Sequence, residues 1–196
     1  MGDVKVAVPA TPAQRFKANL DDLVGLLSDT LAWVPSQGVA SPIDALTMGF
    51  AKMYVSSMGA ESSVHGFIEK SGMYWESIRA KDIDFLITNS DVLFAELPKD
   101  KVKAITSLFA MKNTAGDPLI HPDTLASIWD LLHAMVRCSI QHIHTTRSLK
   151  EFEEEQEVVD SKGVKSKVKV KVKRYAVEYF PTISVRKMVE LWNVKM

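Results

Sequence analysis

The residues with chemical reach fall into three groups. In the first, Cys138 and His142 stand four apart with His144 close by, and His133 lies five positions before the cysteine. Thiolate and imidazole are ligands that zinc favours, and they are also the parts of a cysteine nucleophile with its base. Two converging groups do not complete a tetrahedral site, and Cys138 is the only cysteine in the chain. His133 falls about 500° around a helix from Cys138 and faces away from it. The expectation is a small buried hydrophobe at 138 with surface histidines around it, no metal and no cofactor.

The second group is acidic: Asp21–Asp22, Asp82–Asp84 and the run 151–160. Paired carboxylates do acid–base work when they are enclosed. Only Asp82–Asp84, beside Ile83 and Phe85-Leu86, has an enclosed context, and capping of a helix start accounts for it. No glycine-rich phosphate loop, GxSxG or HExxH occurs. No catalytic residue is assigned, and a non-enzymatic role is expected.

The third group is a charged tract. Residues 151–160 carry six acids and no base, so they oppose in sign the seven bases and no acid of 161–174. Val and Lys alternate from Val164 to Val172 except at Ser166, which is close to the strict period of a strand. Asp160-Ser161-Lys162-Gly163 suits a hairpin turn. The pattern predicts an antiparallel hairpin whose acidic arm faces its basic arm, extended by Tyr175 to Phe180. The candidate interaction residues are Lys165, Lys167, Lys169, Lys171, Lys173, Arg174 and Tyr175, with Trp192 on a short terminal helix that begins at Pro181-Thr182. The same tract, 162–174, would serve phosphates if its lysines were free, with Tyr175, Tyr179 and Phe180 to stack on bases.

Helices must position all of this. Thr11-Pro12 starts the first after a loose arm, 1–11, and Phe16, Leu20, Leu23, Leu27 and Leu31 share one face until Pro35 and Gly38. Ser41-Pro42 opens a second, with Ile43, Leu46, Phe50, Met53 and Tyr54 as its core stripe, ending at Gly59. Shorter helices are expected around Val64–Ile68, Tyr74–Ile78, Asp82–Leu86 and Asp91–Leu97, and another from Pro98. A turn at Asn113–Pro118 precedes the longest, central helix, launched by His121-Pro122-Asp123. Its stripe is Leu125, Ile128, Trp129, Leu132, Met135, Val136, Ser139, Ile140 and Ile143. The fold class is therefore mainly α: a multi-helix globular bundle over 12–149, then an appendage, 150–196, of charged β-hairpin and terminal helix.

The chain's 196 residues are enough for one full core, with roughly 70% of the unfolded surface removed from water. Zero net charge gives the whole molecule no field for nucleic acid or an anionic membrane. A single cysteine excludes a disulfide within the chain and suits a reducing compartment. The segment Met1–Gln14 has no apolar run of signal-peptide length, and Val6 stands where a myristoylation signal needs Ser or Thr. No apolar stretch approaches the ~18 residues of a membrane span. An intracellular location follows as the expectation.

One further pattern runs through the middle of the chain. Phe67-Ile68 is followed by Tyr74, Ile78, Asp82 and Phe85-Leu86, then by the pairs Leu93-Phe94 and Leu108-Phe109. Ile128-Trp129 then leads into Leu131-Leu132 and Met135. Over about residues 16–145 this resembles a family of small helical proteins of unknown function that recur in large nucleocytoplasmic DNA viruses. Met73 stands where that family has proline, and the charged hairpin has no counterpart in it. The resemblance implies a helical fold and a viral source, with host cytoplasm, nucleus or virion as the location, and it carries no catalytic residue.

The function expected from these readings is a protein-interaction or accessory role, docking a protein partner through the appendage by strand addition or the Trp192 face. The alternative is nucleic-acid binding through 162–174. A homo-oligomer is compatible with both, and no membrane partner is expected.

Overall fold

The computed structural model describes residues 9–42, 45–93, 99–146, 149–159, 165–175 and 185–195. Helix α1 spans Pro12–Trp33. The Thr11 hydroxyl accepts the Gln14 N–H at 3.2 Å, while Gln14 Oε1 accepts the Thr11 N–H at 2.8 Å. This reciprocal pair satisfies two donors that a helix start leaves over. Phe16, Leu23, Leu27 and Leu31 turn into the core. The helix tightens into a 3-10 turn, Val34–Gln37, and stops at Gly38, whose φ of 72° favours a residue without Cβ.

Helices α2 (Ala45–Ser57), α3 (Ala60–Ser71), α4 (Trp75–Arg79), α5 (Ile83–Leu93), α6 (Lys99–Ala110) and α7 (Pro122–Thr146) follow. The two strands β1 (Leu149–Val159) and β2 (Lys165–Tyr175) pair antiparallel, and helix α8 (Val185–Leu191) comes last. The protein is mainly α. Among the described residues no helix is long and apolar enough to cross a membrane. The expected arm at 1–8, the start of the second helix at Ile43, residues 94–98 including Pro98, the turn 160–163, the strand extension 176–180 and the helix start Pro181-Thr182 lie outside the described residues.

The chain divides into two compact units, Met1–Ser139 and Ile140–Met196. The boundary between them lies inside α7. The last turns of α7 belong with the C-terminal segment: Gln141 Nε2 donates to the Lys195 carbonyl at 2.6 Å, and Ile140, His142 and Ile143 are buried.

In the first unit α1 packs against α2 and α3, and α5 against α3 and α6. An aromatic file crosses it, with Phe16 and Phe67 centroids 5.2 Å apart and Phe67 and Trp75 6.5 Å apart. Buried Ser71 holds that file in place. Its hydroxyl donates to the Phe67 carbonyl at 2.6 Å and accepts the Trp75 indole N–H at 3.0 Å. A buried polar atom is tolerated only when so paired. Helix α4 ends with Lys81 at φ 56°, while the Asp82 N–H reaches back to the Ser77 carbonyl at 3.0 Å. That is a Schellman closure with lysine where glycine is usual. The loop before α7 closes on Asn113, whose Oδ1 accepts the N–H groups of Ala115 and Asp117, both at 2.9 Å.

In the second unit β1 and β2 run opposed from Leu149↔Tyr175 to Val159↔Lys165. Helix α8 ends with Asn193 at φ 49°, and the Val194 N–H bonds to the Val189 carbonyl at 2.9 Å. Asparagine tolerates that left-handed conformation better than most residues.

Candidate interaction surface

Several groups with catalytic or ligating potential have structural partners, Cys138, His133 and Asp82 among them. Cys138 is buried, with Asn19 Nδ2 3.9 Å from its sulfur. Burial pushes its thiol up, against the smaller opposing pull of Arg15 and Asn19. The thiolate is the reacting and ligating form, so a raised thiol presents less of it than an ordinary cysteine does. His133 Nε2 lies 2.8 Å from the Ile78 carbonyl, which can only accept, so the ring donates and ties α7 to the end of α4. His142 corrects the expectation of surface histidines: it is 2% exposed. It lies three residues after Ser139 and seven after Met135, so the stripe of α7 already contained it.

The acids likewise serve the helices. Asp82 Oδ1 accepts the Phe85 N–H at 3.0 Å and caps α5. Asp82 and Asp84 are both exposed, so the enclosed context read from their apolar neighbours is absent. Asp21 pairs with Lys17 at 2.5 Å, one turn away.

The strand register decides the electrostatics of the charged tract. Glu151, Glu153, Glu155 and Glu157 stand opposite Lys173, Lys171, Lys169 and Lys167. Successive strand residues alternate between faces, so these four pairs share one face. Phe152↔Val172, Glu154↔Val170, Gln156↔Val168 and Val158↔Ser166 take the other. Lys165, Lys167 and Lys169 are exposed, and Lys165 stands opposite Val159. Arg174 stands opposite Lys150, and Tyr175 opposite Leu149. Trp192, expected as a docking anchor, is 4% exposed, and Met188 and Val194 are buried with it. A docking face needs a presented side chain, so Trp192 leaves the set of interaction candidates; among the described side chains of α8 the exposed large hydrophobic is Leu191.

Sequence reasoning missed one surface. Phe50, Met53 and Tyr54 were expected in the core, yet they are exposed, while Met48, Ala51 and Val55 are buried. The missed signal is the composition of α2, which has one charged residue in ALTMGFAKMYVSS and therefore no polar face to mark its outside.

No protein-family model matches the chain, and no curated protein or solved structure matches it either.

Proposed function

We propose that this is a non-enzymatic interaction protein that docks a protein partner through the C-terminal strand pair, acting as a hairpin, by strand addition at its edge. The carrying observation is the register. Four lysines of β2 stand directly opposite four glutamates of β1. Charge matched inside the ribbon has little counterion release to offer a phosphate backbone, which weighs against the nucleic-acid reading. A two-stranded ribbon is also marginal in water, and a third strand is what stabilises it. Strand addition supplies main-chain hydrogen bonds, while alternate side chains select the partner. The Val168, Val170 and Val172 register positions supply the apolar half of that selection.

The test is affinity purification from the native source with the full chain, and with the full chain carrying Val170→Pro, which removes a main-chain donor from β2. Loss of a co-purifying protein with Val170→Pro supports the reading. Equal recovery with both baits refutes it. Recovery abolished by nuclease or by moderate salt favours binding through 162–174 instead.

A further inference from the structure

Helix α2 has a single charged residue, Lys52, in thirteen, and a helix so largely apolar is normally covered over most of its surface. Here one side is open. Phe50, Met53 and Tyr54 are 60%, 69% and 46% exposed, and their i, i+3, i+4 spacing makes one patch. Taking ~200 Å² for a large side chain, the patch presents roughly 350 Å² of apolar surface. The largest patch on a typical monomer is about 300–600 Å² and often marks an interface. One side of a standard interface is ~800 Å², somewhat over half of it apolar, or roughly 450 Å². Three residues thus supply most of the apolar share of one side.

We infer that this face of α2 is the contact of a symmetric dimer of the chain. A two-fold contact sets a surface against itself, so any charge on it meets its own sign. The exposed face of α2 carries no acid and one lysine, Lys52, whose flexible stem lets its ammonium reach solvent. A foreign partner is selected by charge complementarity around the rim, and on α2 itself the exposed Gly49, Ser56 and Ser57 carry no charge, which leaves Lys52 alone to offer it. Gly49 is exposed, and a Cβ built there meets nothing within 4 Å, which leaves room for a second helix to approach. The contact is independent of the strand pair.

Sedimentation velocity of the full chain from roughly 1 to 100 μM tests it, a range suited to an interface smaller than the standard size. A concentration-dependent monomer–dimer equilibrium is expected. Met53→Glu sets two carboxylates together across the axis and should raise the dissociation constant by roughly tenfold or more. Met73→Glu makes the same change at a residue 77% exposed outside α2 and should leave the equilibrium unaltered. Circular dichroism checks that each variant keeps its helices; if Met53→Glu does not, Phe50→Ser is read in its place. A wild-type chain that stays monomeric throughout overturns the inference. So does a dimer that the α2 variant leaves intact, or one that Met73→Glu weakens equally.

Discussion

Reversing one charge in the strand ladder, and then its partner, tests whether the register carries energy. Lys169 is exposed and stands opposite Glu155, with Glu153 and Glu157 on the diagonals. Lys169→Glu removes an attraction of about 0.2–1 kcal/mol and substitutes a repulsion of similar size. Solvent screening at an exposed position favours the lower half of that range, so a loss of roughly 0.5–1 kcal/mol is expected. Glu155→Lys should cost about as much, because it meets Lys169 with Lys167 and Lys171 on the diagonals. The double variant rebuilds the pair with its sign reversed, and each new residue then lies between opposite charges along its own strand. It should recover most of the wild-type protection, which a double-mutant cycle reads directly as coupling. The assay is amide hydrogen exchange across Lys165–Tyr175 for the four proteins, at low salt and again at ~1 M, where the Debye length falls to about 3 Å and the differences should shrink. Single variants that exchange like wild type, or a double variant as unprotected as the sum of the singles, would refute the reasoning.

Ser71→Ala should cost roughly 1 kcal/mol in thermal or denaturant unfolding, because it removes the hydrogen bond between the Ser71 hydroxyl and the buried Trp75 indole; a change below about 0.5 kcal/mol would show that the hydroxyl is dispensable. Lys81→Gly should stabilise by about 0.5 kcal/mol, since relief of the left-handed conformation outweighs glycine's added unfolded-state entropy. Calorimetry reads this as a rise of about 1–2 °C, and a fall would contradict it. The raised thiol of Cys138 keeps its proton to higher pH folded than unfolded, so its contribution is full below the ordinary value of 9.0 and is lost as pH rises through the folded value. Cys138→Ala should flatten the alkaline side of the stability profile, and an unchanged slope would exclude the thiol as its source.

The features legible in sequence are those whose partners lie within a few residues. Thr11 finds Gln14, Asp82 finds Phe85, and Asn113 closes its own loop, so each reads from local spacing alone. The face of α1 was equally legible, because charged residues alternate with Phe16, Leu23 and Leu27 and mark which side meets water. The Lys–Val period is likewise a local property, while the pairing of Lys169 with Glu155 is a relation between two arms.

The candidate site was less legible. Cys138 reads as structural from its lack of further ligands and Asp82 from its place at a helix start, and the structure sets Asn19 beside the one and the Phe85 N–H on the other. His142 and Trp192 were misplaced as surface groups because spacing along a helix does not reveal what closes over it.

Local propensity and period thus determined that the chain would be helical, where most helices start and which residues could pair as strands. Tertiary structure alone decided the rest. It assigned the last turns of α7 to the second unit and turned Met48, Ala51 and Val55 of α2 inward in place of Phe50, Met53 and Tyr54. The reason is energetic degeneracy. When both faces of a helix gain similar free energy on leaving water, composition cannot choose between them, and the neighbouring helices choose by fit.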